Sequence, residues 1–212
     1  MNCCQCQGIE KVFDSQMAAS DLKSYRQKGP ARTTNFLLTA LKKAGVNGLT
    51  LLDVGGGVGI IQHELLPAGV VKAVHIDAST AYLNAAQEEA KRRGHFDSIT
   101  YYHGNFVELA EGLEKADIVT LDRVICCYHD MPSLVNAAAA KAHQYIGLVF
   151  PRDTWWLKVA SRLPNFGLWL FRNPFRIFVH ATDAVEGILH QHGFQCQLHK
   201  RTFLWQTMLY KR

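Results

Sequence analysis

The chain has 212 residues, of which 48% are hydrophobic and 19% are charged, and its net charge is +5. This composition is typical of a globular protein and excludes a disordered chain, while no apolar run reaches the roughly 18 residues that a membrane-spanning helix needs. The length predicts a single domain, 1–212, with local additions.

The first residues contain neither the basic stretch nor the apolar core of an export signal, so a cytoplasmic location is expected. The six cysteines are then expected as thiols. Cys3, Cys4 and Cys6 form a Cys-Cys-x-Cys sequence, but no second Cys/His pair at a separation typical of structural zinc follows it. No metal site is predicted, and a flexible, reduced terminus is expected.

Two helices are predicted before the first strand, over residues 15–27 and 33–44, and they end at Gly29-Pro30 and at Gly45. In the second helix, the apolar residues share one face; they are Phe36, Leu37, Ala40 and Leu41. Residues 1–45 are therefore expected to form a helical cover over the rest of the domain.

The stretch 49–59 is the most informative part of the sequence. An apolar strand, 49–54, runs into a glycine-rich turn, and a helix over 58–66 follows. Glycine has no Cβ and adopts positive φ readily, so a ligand can lie against bare backbone here. The dinucleotide fingerprint Gly-x-Gly-x-x-Gly is absent, because its third glycine would fall on Ile60 or Gln62.

Strands over 70–76, 99–103, 117–122 and 145–150 then alternate with helices over 80–93, 106–111 and 131–142. This alternation predicts a parallel sheet with right-handed crossovers. Polar residues follow the strands, and Asp77 comes 24 residues after Asp53. Folds that bind nucleosides place a carboxylate there for the ribose hydroxyls. The alternative is that Asp77 caps the next helix, with Ser79 or Thr80 as rival caps.

The turn Asp-x-Gly-x-Gly-x-Gly, 53–59, together with these strand ends resembles the class I S-adenosylmethionine (SAM)-dependent methyltransferases. The resemblance covers about residues 49–150. It implies an α/β, three-layer Rossmann-like methyltransferase fold, with a seven-stranded, mostly parallel sheet and a C-terminal antiparallel hairpin. A helix over 182–192 and two β-rich runs, 194–200 and 203–210, fit this ending. The family position implies SAM as cofactor, bound by Asp53, Gly55, Gly56, Gly57, Asp77, Ala78, Asn105, Phe106, Asp122 and Arg123.

The same resemblance places Tyr128 and His129 near the transferred methyl group. His129 is the candidate general base, because imidazole titrates near neutrality; alternatively, His129 and Asp130 cap the following helix. The run 21–30 of the cover is expected to complete the substrate pocket. Its Tyr25 is the candidate aromatic hydroxyl, or else a partly buried surface tyrosine. The regions of Tyr25 and Tyr128 also weakly resemble magnesium-protoporphyrin methyltransferases, which carry a histidine where this chain has Cys127.

Residues 151–180 hold three of the four tryptophans, with Lys and Arg interleaved. We predict that 151–181 form an aromatic lid that lines the pocket of a small-molecule acceptor. The alternatives are additional core, peripheral contact of 151–180 with anionic membrane lipid, and nucleic-acid binding. The small charge surplus disfavours the last, so no nucleic-acid partner is expected.

Between these flanking segments, residues 46–150 are the predicted SAM-binding core, and 182–212 are the last helix and terminal hairpin. The predicted function is SAM-dependent methylation of a small, apolar or aromatic acceptor. Oxygen is favoured over a nucleobase nitrogen, because Asp122-Arg123-Val124-Ile125 is not the Asp/Asn-Pro-Pro-aromatic loop of the enzymes that methylate nucleobase amino groups. The alternatives are an NAD-dependent oxidoreductase and a SAM-binding protein without turnover; the sequence leaves the oligomeric state open.

Overall fold

The structure is a computed structural model, and it describes residues 4–212. Cys3 lies outside the described residues, and so do the side chains of Cys4 and Cys6. The expectation of a reduced terminus without metal therefore stays a prediction.

Three helices precede the sheet: α1 (Cys4–Val12), α2 (Ser15–Lys28) and α3 (Arg32–Ala44). The carboxylate of Asp14 caps α2 by accepting from the Met17 N–H at 2.9 Å. Gly29 and Gly45 end α2 and α3 with φ of +72° and +91°. The helix α1 was not predicted, since a flexible segment was expected there.

The alternating core matches the predicted order. Its elements are β1 (Thr50–Val54), α4 (Ile60–Leu65), β2 (Lys72–Asp77), α5 (Thr80–Arg93), β3 (Ile99–His103), α6 (Phe106–Leu109), β4 (Ala116–Asp122), α7 (Met131–Lys141) and β5 (Ala142–Pro151). Short 3-10 turns lie at Phe96–Ser98, Ala110–Gly112 and Ile125–Cys127. The helix α4 begins later than predicted, because Gly59 has a left-handed conformation (φ +82°) that cannot continue a right-handed helix.

The chain ends with α8 (Trp155–Ala160), α9 (Arg162–Leu170), α10 (Thr182–Gln191), β6 (Gln195–Arg201) and β7 (Trp205–Lys211). The strand order is β3-β2-β1-β4-β5-β7-β6. The first five strands are parallel, whereas β7 is antiparallel to both β5 and β6. This sheet confirms the predicted fold.

Apolar residues pack on both faces of the sheet, because neighbouring side chains of a strand point to opposite faces. Leu51 belongs to a core with α3, α4 and α5, whereas Leu52 belongs to a core with α6, α7 and α10. Helices therefore cover both faces, which gives the expected three layers.

The N-terminal helices are fixed to this core by buried contacts. Leu22 and Tyr25 of α2 pack with Val58 and Tyr82 in a third apolar cluster. Arg26 binds Glu89 of α5 at 2.7 Å, and the Glu89 carboxylate is fully buried. The cover is thus an integral part of the domain. No helix of the part of the chain that the structure describes has the length and hydropathy to cross a bilayer.

Candidate active site

A cavity of about 480 Å³ lies at the carboxyl ends of β1, β2 and β4. The neighbours of β1 lead away in opposite directions there, and open α/β sheets bind ligands at such a point. All ten predicted cofactor residues line the cavity, as do Tyr25 and Tyr128. This volume suits a cofactor-sized small molecule.

The glycine turn forms one wall of the cavity, and its shape depends on the absence of side chains. Gly55 and Gly57 have φ of +60° and +58°. A Cβ on Gly56 would lie 2.5 Å from the His75 ring and 2.8 Å from the Asp53 carboxylate. Because real Cβ atoms do not approach so closely, Gly56 must remain glycine for these two buried side chains to stay in place.

The N–H groups of the turn are used inside the protein. Gly55 and Gly56 both donate to the Ile76 carbonyl, at 2.7 and 3.2 Å. Gly57 donates to the Asp77 carboxylate at 2.9 Å, and Gly59 donates to the Gly56 carbonyl at 2.9 Å. A phosphate site needs such N–H groups to point at the ligand. The glycine N–H groups of this turn therefore do not form a phosphate site.

Three carboxylates at the strand ends, together with Asp21, Lys28 and Arg123, give the cavity its charge. Asp53 is almost fully buried, and one of its oxygens accepts from the Thr120 hydroxyl at 2.7 Å. Asp122 accepts from the Thr34 hydroxyl at 2.5 Å. The other carboxylate oxygen of each is buried and has no hydrogen-bond partner among the described residues, although that of Asp122 lies 3.9 Å from the Arg123 guanidinium. Such oxygens fit a ligand that brings a positive charge or a donor.

Burial shifts the pKa of these carboxyls upward. It raises the pKa of Asp53 to about 7, and the nearby charges of Asp122 and Asp77 add to this shift. It raises the pKa of Asp77 to about 6, although bonds from the N–H groups of Ser79 and Gly57 oppose the rise. Burial also raises the pKa of Asp122. A bound cation would favour the ionised form of all three.

The sequence left open whether Asp77 binds a ligand or caps α5, and in the structure the cap of α5 is Ser79. The carboxylate of Asp77 accepts from the N–H of Gly57 and, at 2.8 Å, from the N–H of Ser79. Ser79 caps α5, because its hydroxyl oxygen accepts from the Tyr82 N–H. The carboxylate keeps some acceptor capacity beyond these bonds. It can therefore accept a further donor, such as a ligand hydroxyl.

Asn105 and Phe106 form the wall beyond β3. Asn105 caps α6: its side-chain oxygen accepts from the Val107 N–H at 3.2 Å and from the Tyr128 hydroxyl at 3.1 Å. Phe106 is buried beside it. The Asn105 amide nitrogen donates to Glu108 at 3.0 Å, which leaves one amide N–H beside the apolar ring for a flat heterocycle.

Tyr25 contributes its ring to the cavity, but its hydroxyl is engaged elsewhere. It donates to Glu64 at 2.9 Å, and the Arg93 guanidinium lies 4.9 Å from the ring centre. Burial, with the bond to Glu64, raises the pKa of Tyr25 far above its usual value. Proton transfer by Tyr25 would require this bond to break, and its catalytic role stays a prediction.

His129 is the one predicted site residue that does not line the cavity. It is exposed, and its ring stacks on that of Tyr128 at 5.6 Å. Asp130 caps α7 by accepting from the Ser133 N–H at 3.1 Å. The structure thus supports the helix-start interpretation of this segment, and none of the described histidines is among the cavity-lining residues.

The expectation that the insert 151–181 lines the pocket is not met. None of these residues is among those that line the cavity. The helices α8 and α9 lie instead near the β6–β7 turn, where the Trp156 ring stacks on Phe203 at 4.9 Å. The end of the insert packs behind the cover: Phe175 contacts Phe13 edge to face at 5.6 Å. The segment is therefore not a lid with aromatics over the cavity.

The N-terminal segment supplies that side of the wall. Its run 21–30 was expected to complete the pocket, whereas Ile9, Phe13, Ala31 and Thr34 were not singled out in the sequence. Besides Tyr25, nine residues of this segment line the cavity. They are Ile9, Phe13, Asp21, Ser24, Lys28, Gly29, Pro30, Ala31 and Thr34. The apolar residues Ile9, Val12 and Phe13 lie at helical spacing, which could have indicated the buried face of α1. Nothing in the sequence marked Thr34.

A family model described as a methyltransferase domain matches residues 22–199. Among curated proteins, the ribosomal protein L11 methyltransferase of Salmonella newport is 34% identical over 74 residues. This match covers 35% of the chain and 25% of that protein. The chain thus spans about a quarter of the length of the curated relatives that it matches.

Two solved structures are similar in fold. Magnesium protoporphyrin IX methyltransferase from Synechocystis PCC 6803, with bound SAH, is 18% identical, with a TM-score of 0.73 over 98% of this chain and 99% of that chain. The O-methyltransferase family 2 protein from Planctomyces limnophilus, in complex with apigenin, is 18% identical. Its TM-score is 0.66 over 93% of this chain and 61% of that chain.

Proposed function

The chain belongs to the methyltransferase-domain family, and on this premise we propose that it transfers a methyl group from SAM to an oxygen atom of a small, apolar or aromatic acceptor. The family match spans most of the chain and includes every residue that the strand ends contribute to the cavity. SAM is the methyl donor of the enzyme; the acceptor and the role of each residue are the proposal.

The charge around the glycine turn is the observation that carries this function. Asp53, Asp77 and Asp122 line one cavity, and the glycine N–H groups of the turn are bonded within the protein. SAM brings a sulfonium and an ammonium group, which three carboxylates attract. The diphosphate of NAD would meet those carboxylates, and the glycine N–H groups of the turn would not be free to bind it. The geometry therefore favours SAM over a dinucleotide.

Each wall of the cavity suits one part of SAM. Asp77 would bind the ribose with its remaining acceptor capacity. Asn105 and Phe106 would bind the adenine by hydrogen bonding and packing. Asp53 and Asp122 would face the amino-acid end, where the Asp53 oxygen that has no partner among the described residues matches its ammonium group. The residues present therefore fit this cofactor.

When bound, SAM supplies an electrophilic methyl carbon, so the protein needs mainly to align the acceptor and exclude water. The N-terminal segment supports both tasks, because Ile9 of α1, Phe13 between α1 and α2, and Tyr25 of α2 line the cavity. Tyr128 is the residue that we place nearest the acceptor, since it lines the cavity and its hydroxyl donates to the side-chain oxygen of Asn105.

The acceptor is inferred from the groups that line the cavity. None of the described histidines lines the cavity, so a base there would have to be a carboxylate such as Asp53, and an oxygen that is already ionised near neutral pH suits the site without one. Carboxylates and acidic phenols meet this condition. Lys28 lines the same cavity and forms no ion pair with any described residue, so it can complement an anionic acceptor. The O-methyltransferase found in complex with apigenin supports an oxygen acceptor.

Calorimetry separates these possibilities. We expect SAM and S-adenosylhomocysteine to bind with one site per chain and NAD not to bind. A panel of carboxylic acids, phenols and amines, incubated with radiolabelled SAM, should then show methylation of the oxygen acceptors. Binding of NAD without SAM would contradict the function, and SAM binding without methylation of any acceptor would favour a binding protein without turnover.

A further inference from the structure

The helices α8 and α9 have their apolar residues on the outside. Neither helix buries a single residue. Six of their apolar side chains recur at intervals of three or four residues, with one adjacent pair at the end. This spacing places them on one side of the two helices. They form what we call the aromatic face: Trp155, Val159, Leu163, Phe166, Trp169 and Leu170.

The aromatic face is exposed to an unusual degree. The exposed fractions of Trp155 and Leu163 are 78% and 77%, and that of Phe171, directly after α9, is 82%. Phe203 in the β6–β7 turn is exposed as well, and it joins this surface because it stacks on Trp156. A surface helix normally turns its apolar face to the core, and exposed apolar patches of this kind mark interaction sites.

The insert that forms this surface also has a net positive charge close to that of the whole chain. Residues 151–181 contain five Lys and Arg and one acidic residue, a net charge of +4, whereas the whole chain has +5. The single acid, Asp153, pairs with Lys158 at 2.5 Å. Arg162, between the apolar residues, and Arg172, just beyond α9, have no carboxylate partner among the described residues.

We propose that this aromatic face binds the surface of a membrane that contains anionic lipid. Apolar side chains enter the boundary between headgroups and acyl chains, tryptophans favour that interface, and the arginines meet the lipid phosphates. The aliphatic members Val159, Leu163 and Leu170 gain from hydrocarbon but do not stack on bases, which disfavours nucleic acid.

A second copy of the chain fits this surface less well. Self-association through the face would bring Arg162 and Arg172 of two copies together, and their like charges repel. An anionic bilayer neutralises the same charges. Since β5 runs parallel to β4 and α8 follows its carboxyl end, α8 begins at the same edge of the sheet that carries the cavity.

Vesicle flotation tests the proposal directly. The full chain should bind vesicles of phosphatidylcholine and phosphatidylglycerol in equal parts, and bind vesicles of phosphatidylcholine alone about tenfold more weakly. Phe166→Ser with Trp169→Ser should reduce binding to the anionic vesicles by about tenfold or more. Arg162→Glu with Arg172→Glu should do the same, and high salt should weaken binding of the wild type.

Two controls keep the result interpretable. Val71→Ser with Tyr102→Ser removes two exposed apolar side chains from another part of the surface and should leave vesicle binding unchanged. All variants should keep the SAM affinity of the wild type, since none of these residues lines the cavity. Absence of vesicle binding, binding that ignores lipid charge, or equal binding by the serine variant would overturn the proposal. So would a dimer in light scattering that the serine variant abolishes, or preference for single-stranded RNA over vesicles.

Discussion

The N-terminal cover and the α8–α9 insert are both additions to the same sheet, and both are amphipathic, yet they place their apolar residues in opposite directions. Leu37, Leu38 and Leu41 of α3 are fully buried, whereas no residue of α8 or α9 is buried. The cover also lines the cavity, and the insert does not. An apolar stripe on a helix therefore predicts that this face packs against something. It does not predict whether that is the core of the same chain or a separate partner.

The largest expected effect on stability comes from a substitution in the N-terminal cover. Leu38→Ala should lower the free energy of unfolding by about 2–5 kcal/mol, because it leaves a cavity in a closed core. Leu163→Ala, the same change in the insert, should alter it by no more than about 0.5 kcal/mol, since that side chain is exposed. Urea denaturation of both variants measures the difference. Equal losses would show that the insert is part of the core.

Two glycine substitutions compare the glycine turn with the α8–α9 insert. Gly56→Ala places a methyl group against His75 and Asp53 and should cost about 1–3 kcal/mol of stability, together with most of the SAM affinity. Gly167→Ala in α9 meets no atom within 4 Å and should be neutral or stabilise the helix by up to about 1 kcal/mol. Thermal denaturation and calorimetry would decide; a harmless Gly56→Ala would contradict the described geometry of the turn.

Substitution of two aspartates distinguishes a carboxylate that binds SAM from one that lies on the surface. Asp77→Ala should weaken SAM binding by about 1–3 kcal/mol, because the ligand sugar loses its acceptor. Asp153→Ala removes a carboxylate of the insert, which pairs only with an exposed lysine, and should leave SAM affinity unchanged. Calorimetry on both variants is the measurement. Unchanged affinity in Asp77→Ala would remove this residue from the site.

The smallest expected effect is the change of SAM affinity with pH. The pKa values of Asp53 and Asp77, ordinarily 3.8, are raised to about 7 and about 6 in the folded chain. Between pH 3.8 and about 7 the folded chain thus binds more protons than the unfolded chain, and the free energy of unfolding falls as pH rises through this window. SAM affinity should rise over the same window, by about tenfold, because the ionised carboxylates attract its positive charge.

Titration of SAM binding between pH 5 and 8 checks this prediction, with Asp53→Asn as the variant that should flatten the curve. The insert offers the matched control, because Asp153→Asn should leave the curve unchanged. An affinity that is independent of pH would mean that the carboxylates stay ionised without the ligand.

The strands and the cavity edge could be predicted from the sequence because each depends on local chemistry. Apolar runs, glycines without Cβ and acids at strand ends specify a parallel sheet and its binding edge. The orientation of the loop after β4 could not be predicted in this way. Arg123 has φ of +63°, which is unusual for a residue other than glycine. The residues after it place Tyr128 in the cavity wall and leave His129 exposed.

The position of the insert was also beyond the sequence. Aromatic residues interleaved with arginine suit a pocket, a core or a membrane interface equally well. The choice depends on tertiary contacts such as the stacking of Trp156 on Phe203. The helix α1 escaped prediction for a related reason, since its position depends on Phe175, far away in the chain, and on the lack of a side chain at Gly8.

A crystal structure with S-adenosylhomocysteine tests the central claim most directly. We expect the ligand in the cavity at the ends of β1, β2 and β4, with its sugar hydroxyls on Asp77 and its amino-acid end beside the glycine turn. A ligand bound elsewhere, or a diphosphate-containing compound found in its place at the turn, would contradict the account.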